Sequence, residues 1–256
     1  MRRFLAGAFV ALLIFSACAS KPTEQTSGAE EIRMMTYNIR NGRGMDDSLS
    51  VGRTASVINR LQPDVVAVQE IDSMTRRSGQ TYVLGELASQ TGMQAVYSPA
   101  IDYDGGKYGI GMLCREKPLS VRRTALPGRE EARTFLVVEF EHYYYASSHL
   151  SLTEEDRLLS AGLIRQFAGN KNKPLFVAGD WNDTPDSPFL QAMKQDFTLL
   201  NRPGEATHPA SNPEKTIDYI AVENSWADRV ICNRVEVVDA PVESDHRPVY
   251  AEITLK

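Results

Sequence analysis

The chain has 256 residues, 42% of them hydrophobic and 24% charged, a balance that supports a packed core and excludes a disordered or fibrous chain. The formal charge is −5, which argues against a broad basic surface for tracking nucleic acid. A local basic groove or a bound cation can still draw phosphate to an acidic protein.

The N-terminus opens with Arg2 and Arg3, an apolar run from Phe4 to Phe15, and then Ser16-Ala17-Cys18. That order of charged, apolar and small residues reads as a signal peptide, and the apolar run is too short to span a bilayer comfortably. Small residues before a cysteine resemble a bacterial lipoprotein signal, with Phe15 where that pattern usually has Leu. The resemblance implies a leader over residues 1–17 and lipidation of Cys18. It also implies an exported cell-envelope lipoprotein on the periplasmic or outer-surface face, held to the membrane by its N-terminal lipid. Losing Arg2 and Arg3 takes the formal charge from −5 to −7. Residues 18–31 are mostly Lys, Pro, Thr, Glu, Gln, Ser and Gly with no apolar period, as a solvated tether should be. One domain over 32–256 is expected, in a size range that suits a single large α/β fold. Cys114 and Cys232 lie in that domain and are read as two buried free thiols.

Within the domain, β-rich runs are expected at Ile32 to Ile39, Asp64 to Ile71, Gly109 to Cys114, Thr134 to Phe140, Tyr143 to His149, Leu175 to Gly179, Ile217 to Val222 and Val249 to Leu255. Several are apolar on both faces and should be central. Between them, Val51, Ala55, Ile58 and Leu61 recur at helical spacing and stop before Pro63. Tyr82 to Thr91 forms a second helical stretch, ended by Gly92. Thr153 with Asp156 reads as the capped start of a third, running through Leu159, Leu163 and Ile164 to Phe167. Ser187-Pro188 reads as an N-cap followed by proline at the first helical position. The adjacent strand pair from Thr134 to His149 argues against a strictly alternating parallel barrel and for an antiparallel or mixed sheet core with helices outside.

Polar residues recur where these strands end. Asn38 follows Met34-Met35-Thr36-Tyr37, Gln69-Glu70 follows Val65-Val66-Ala67-Val68, His149 follows Tyr145-Ala146-Ser147-Ser148, and Asp180-Trp181-Asn182 follows Leu175-Phe176-Val177-Ala178-Gly179. A strand end fixes a side chain at the rim of a rigid scaffold, which a preorganised site requires.

Six segments together resemble the endonuclease/exonuclease/phosphatase superfamily: Thr36 to Arg40, Gln69-Glu70, Ser148-His149-Leu150, Gly179 to Asp183, Ile217 to Ile220 and Ser244 to Pro248. They stand in the family's order across nearly the whole domain. The resemblance implies a four-layer α/β/β/α sandwich of two mixed, mostly antiparallel sheets packed face to face with helices outside. It implies hydrolysis of a phosphoester by water, with Mg²⁺ or Mn²⁺ held by Glu70, Asn38 and Asp245, since hard oxygen ligands suit those ions. On the same basis Asp180 orients or deprotonates the water, Asn182 donates to the phosphoryl oxygens and His246 contacts the phosphate. Asp218 orients His246, and His149 serves the leaving group. Arg133 resembles a phosphate-clamping arginine. Tyr108-Gly109 matches a substrate-side segment that usually continues with Asn, where this chain has Ile110 and Gly111. His208, in Thr207-His208-Pro209, could line the cleft, but a loop residue between prolines is more often simply exposed. The expected substrate is small or lipid-borne; an extracytoplasmic endonuclease and a non-catalytic binding protein of the same fold are the alternatives.

Overall fold

The computed structural model describes residues 29–169, 172–202 and 204–256. Cys18, the leader and most of the tether lie outside the described residues. The described residues form two six-stranded sheets. In chain order the strands are β1 (Glu30–Asn38), β2 (Val65–Ser73), β3 (Gln94–Tyr103), β4 (Gly106–Cys114), β5 (Ser120–Leu126), β6 (Arg133–Glu139), β7 (Tyr144–His149), β8 (Leu175–Asp180), β9 (Phe197–Leu199), β10 (Asp218–Glu223), β11 (Val230–Val237) and β12 (Val249–Leu255). The first sheet has the order β11-β12-β1-β2-β4-β3 and the second β5-β6-β7-β8-β10-β9. The helices are α1 (Val51–Leu61), α2 (Val83–Thr91), α3 (Glu154–Arg165) and α4 (Pro188–Met193).

Side chains alternate across a strand, so a strand covered on both faces must be apolar at every position. Met34, Val65, Ala67 and Met112 face Val138, Tyr145, Phe176 and Ile220 of the other sheet, forming the central core. Their neighbours Met35, Val66 and Val68 face α1 and α2 through Ile58, Leu84 and Leu87. Phe135, Ala146 and Val177 face α3 and α4 through Ile164, Phe189 and Leu190. Three cores between four layers make the expected α/β/β/α sandwich.

Each sheet has one parallel pair at its centre, β1 with β2 and β7 with β8; the remaining pairs are antiparallel. Parallel neighbours need a crossover, supplied here by α1 and α3. The carboxyl ends of all four strands therefore open on one rim.

All eight expected strands are present. The four that the apolar pattern does not reveal are β3, β5, β9 and β11, the four sheet edges. Each departs from that pattern for an edge's reasons: Pro99 and a register shift in β3, four exposed residues at the start of β5, three residues in all in β9, and an exposed face with a bulge in β11. The Ser187 hydroxyl accepts from Leu190 N at 3.2 Å, capping α4 as expected. The expected Thr153 cap is not formed. Its hydroxyl bonds Glu130 instead, Asp156 receives Arg129 and Ser151, and α3 ends at Arg165 short of Phe167. Both domain cysteines are free, but Cys232 is exposed and not buried as expected, because it lies at the bulge of an edge strand.

Gly179 shows how tightly the parallel pair is drawn together. Its φ is +149°, and a Cβ there would lie 1.9 Å from the Ser148 carbonyl oxygen. Gly179→Ala should therefore cost about 2 kcal/mol or more, as overpacking against backbone does, read as a lowered urea midpoint at unchanged m value. An unchanged midpoint would contradict the β7–β8 approach described.

Candidate active site

The rim shared by the two parallel pairs carries Asn38, His149 and Asp180, the last residues of their strands, and Glu70, which lies inside β2 three residues before its end. Two antiparallel neighbours complete it. Asp218 starts β10 opposite Asp180. Asp245 and His246 precede β12, whose Val249 pairs with Thr36 two residues before Asn38. The sequence gaps between these residues are large; register gathers those of each sheet, and face-to-face packing of the two sheets brings both groups together.

Glu70 turns into the site through a defect. The register between β2 and β4 shifts between Val68 and Ile71, and Glu70 takes a left-handed φ of 58°. A bulge of this kind re-aims one side chain without disturbing the strand on either side. Asn182 is likewise left-handed, at φ 51°. Its backbone N–H donates to Asp180 Oδ1 at 2.9 Å and its side-chain amide to the Leu150 carbonyl at 2.9 Å. One amide N–H of Asn182 remains to face a ligand.

Asp180 is where the two sheets meet chemically. Asn38 Nδ2 donates to its Oδ2 at 3.0 Å and to Glu70 Oε1 at 3.0 Å. His149 Nε2 and His246 Nε2 stand 3.5 and 3.6 Å from the same Oδ2. Asp218 Oδ2 holds His246 Nδ1 at 2.9 Å, and the other Asp218 oxygen is buried without a hydrogen-bond partner. Ser244 Oγ donates to the Asn38 carbonyl at 2.7 Å, tying the loop before β12 to the end of β1. Asp245 is partly open and lies 3.8 Å from Arg40 Nε.

Arg133 is buried behind His149, its Nη1 3.2 Å from His149 Nδ1 and 3.0 Å from Glu131 Oε1. Tyr108 lines a small cavity with Glu131, Arg133, Thr134 and His149. Ile110 packs into the central core, so the departure from the family pattern after Gly109 replaces a polar group by core. A groove lined by Arg33, Asp64, Arg115 and Glu252 opens at the opposite strand ends. Arg33 and Asp64 pair there at 3.1 Å, and no member of the constellation reaches it.

The sequence matches the Endonuclease/Exonuclease/phosphatase family over residues 35–246, from β1 to His246. The chain belongs to this family. Solved structures agree on the fold. An endonuclease/exonuclease/phosphatase from Bacteroides vulgatus superposes with a TM-score of 0.71 at 19% identity, covering 89% of this chain and 100% of its own. A mannosyl-6-phosphatase of Bacteroides thetaiotaomicron gives 0.68 at 17% identity, covering 87% and 99%. ANGEL2, a 2′,3′-cyclic phosphatase, gives 0.70 at 14% identity, covering 89% and 96%. No curated protein matches the sequence. Members of the family are phosphoesterase hydrolases, generally dependent on a divalent metal, and the acidic and histidine groups here are of the kind that can hold one.

Electrostatics separate these family groups into kinds. Burial opposes a charge on His246, but Asp218 and Asp180, with Asp245 beyond them, overcome it and hold the imidazole pKa far above its ordinary value. Burial lifts the Asp180 carboxyl above the usual carboxylate range; the His246 charge opposes this and Asp218 adds to it. Burial also lifts Glu70, which the Asn38 hydrogen bond relieves in part and the nearby Asp245 aggravates. Burial, then the charges of Arg133 and His246, push His149 well below its ordinary value, so that ring is neutral.

His208 lies at the site, against the exposed position that its loop between prolines favours. Its ring lies 4.8 Å from that of His246, and it forms with Asp245 and His246 a group whose ligand atoms lie within 4.8 Å of one another. The loop is held there by Arg247 N donating to the Thr207 carbonyl at 2.8 Å and by Ala210 N donating to the Asp245 carbonyl at 2.7 Å. No local pattern around Thr207-His208-Pro209 signals those long-range bonds.

The His246 pKa is raised in the folded state, so its pair with Asp218 contributes stability that is full below the ordinary histidine pKa and is lost as pH climbs through the raised one. In ¹⁵N NMR spectra His246 should remain an imidazolium at pH 8, and Asp218→Asn should bring its titration down toward the ordinary range. A neutral His246 at pH 8 in the wild type would contradict the arrangement described.

Proposed function

We propose that the protein is a divalent-metal-dependent hydrolase of phosphoester bonds in a small or lipid-borne substrate, acting outside the cytoplasm from a lipid anchor on Cys18. The observation that carries the reading is the charge balance of the rim. Glu70, Asp180, Asp218 and Asp245 converge around one imidazolium, with Arg40 at the margin. Such a site repels a phosphate unless a cation enters with it.

Glu70 fits a cation. Its Oε1 has a single amide donor, its Oε2 has no hydrogen bond among the described residues, and burial already penalises its charge. Asp245 stands nearby with further hard oxygens; Asn38, whose amide N–H group faces Glu70 while its oxygen accepts from Arg40 N at 3.1 Å, would join them by turning that oxygen inward, giving a donor set suited to Mg²⁺ or Mn²⁺. The groups containing His246 fit less well, because a charged ring held by Asp218 has no lone pair to give. When bound, the ion neutralises phosphoryl charge and polarises the ester.

The chain's own groups do the rest. Asp180, with its raised pKa, takes the proton of the attacking water as the new P–O bond forms opposite the departing oxygen. The charged His246 and the free N–H of Asn182 stabilise the phosphoryl oxygens, and Asp218 keeps His246 oriented. His149 serves the departing oxygen, and Tyr108 lines the substrate side. Without its leader the chain carries 26 Lys and Arg against 33 acids, which favours small or lipid-borne esters over duplex DNA, whose affinity draws on phosphate neutralisation by basic residues. Among the described residues no helix is long and apolar enough to cross a membrane.

Chelator should abolish turnover and Mg²⁺ or Mn²⁺ should restore it; Asp180→Asn should keep its fold and lose on the order of 10²–10⁴ in kcat with little change in KM. The assay compares sugar phosphates, inositol phosphates, nucleotides, phospholipids and plasmid at equal enzyme and low salt. Full activity in excess chelator would sink the metal assignment, and plasmid nicking without small-ester turnover would make the protein a nuclease.

The address has its own test. Wild-type protein should take up labelled palmitate and partition with membranes, and Cys18→Ser should do neither. Membrane association without label would point to an uncleaved anchor.

A further inference from the structure

His149 presents its two ring nitrogens to different partners. Nδ1 is 3.2 Å from Arg133 Nη1 and Nε2 is 3.5 Å from Asp180 Oδ2. A guanidinium has N–H donors and no acceptor, so Nδ1 must offer its lone pair. An imidazolium has no such lone pair, and a ring protonated at Nδ1 would direct hydrogen at hydrogen. The single proton therefore sits on Nε2, facing Asp180.

Arg133 is held so that it can impose this choice. Its side chain is 7% exposed; Nη1 also meets Glu131 Oε1 at 3.0 Å, and Nη2 lies 3.6 Å from Glu130 Oε1. Glu130 in turn accepts from Ser151 Oγ at 2.8 Å and from Leu152 N at 2.7 Å. Those residues stand two and three positions after His149 in the chain. The support is thus closed on itself: the loop after β7 fixes Glu130, the paired glutamates fix Arg133, and Arg133 fixes the imidazole at the end of β7.

We propose that Arg133 is a positioning residue that sets the tautomer of His149, making His149 a fixed neutral Nε2–H donor in the active site. This deepens the hydrolase reading and rests on it for what the donor serves. A neutral imidazole can lose its N–H proton only by becoming an imidazolate, so when bound substrate draws the Nε2–H from Asp180 to the departing oxygen, His149 hydrogen-bonds that oxygen without protonating it, and the oxygen takes its proton from solvent water. Nor can His149 accept the proton of the attacking water through Nε2, and the charged His246 cannot either. Base work falls to Asp180 alone, whose Oδ2 faces three donors, from Asn38, His149 and His246. The sequence expectation of Arg133 as a phosphate clamp makes a different claim: a clamp acts on substrate affinity, whereas a tautomer-setting residue acts on turnover.

The test is two-bond ¹H–¹⁵N correlation on ¹⁵N-histidine-labelled full-length protein with Mg²⁺, the His149 signals identified by their loss in His149→Asn. The wild type should show a protonated Nε2 and a bare Nδ1 at neutral pH. Arg133→Met should give a tautomer mixture and reduce kcat by about tenfold or more, a loss of the size that misoriented catalytic groups produce, with KM within about twofold. Arg133→Lys, which keeps a donor at Nδ1, should retain most of the Nε2–H form and of kcat. A wild-type ring protonated at Nδ1 or at both nitrogens would overturn the proposal. So would an Arg133→Met protein with an unchanged tautomer, or one whose main defect is a raised KM. If Arg133→Met fails to fold, the wild-type and Arg133→Lys spectra still decide. The spectrum needs no substrate, so failure of the hydrolase reading would show separately, as absence of turnover in a protein with the assigned tautomer.

Discussion

The site depends on one constraint, that each sheet carries a parallel pair at its centre. Parallel neighbours cannot be joined by a tight turn, and their crossovers return the chain to the same end of the sheet. With α1 between β1 and β2 and α3 between β7 and β8, four strands discharge their carboxyl ends on one rim. The sequence places Asn38, Glu70, His149 and Asp180 there. Antiparallel β10 and β12 then bring Asp218 and His246 to that rim at their starts.

What gathers at the rim costs stability. Asp180 and Asp218 are almost fully buried and face each other across paired strands, and one Asp218 oxygen has no hydrogen-bond partner. A core built for stability would place apolar groups there, since buried charges seldom recover their desolvation. His246 offsets part of the penalty by taking a proton and bonding Asp218. What remains is a surplus of negative charge open to a cation, and on the proposed reading that surplus is functional.

How much was legible in the sequence follows from which forces are local. Strands covered on both faces declared themselves by unbroken apolar runs such as Val65 to Val68. Edge strands such as Ser120–Leu126 must look unlike strands, because exposed apolar edges pair with other chains. The Ser187 cap was readable and realised. The Thr153 cap is readable but not formed, because the hydroxyl is turned to donate to Glu130 and its oxygen does not meet a helix N–H. Cys232 was assigned to the interior on residue type, but an edge bulge exposes it. The expected polar residues do meet at the rim, most of them at or beside strand ends that topology fixes, and Glu70 through the bulge inside β2. Three features were not legible: the left-handed turn at Glu70, the packing of His208 on His246, and the use of Arg133 against His149. Each is set by partners far away in sequence.

The constellation also divides by sheet. The ends of β1 and β2, with the loop into β12, bring Asn38, Glu70, Asp245 and His246 from the first sheet. His149, Asp180, Asn182 and Asp218 come from the second. On the proposed reading the cation-holding groups belong to one and the water-activating groups to the other, and the reacting phosphorus lies over the seam. Buried bonds that cross the seam include Asn38 to Asp180 at 3.0 Å, His246 to Asp218 at 2.9 Å, Tyr145 Oη to the Met35 carbonyl at 2.9 Å, Ser98 to Thr134 at 2.9 Å and Gln69 to Ser147 at 3.3 Å. Between them runs the central core of Met34, Ala67, Met112, Val138, Phe176 and Ile220. Protein cores pack at crystal-like density and transmit small volume changes as displacement. On that reading, the separation between the residues that would hold a cation and those that would activate water is set by side-chain volumes in this core. The two sheets must pack face to face before any of the polar residues can act together.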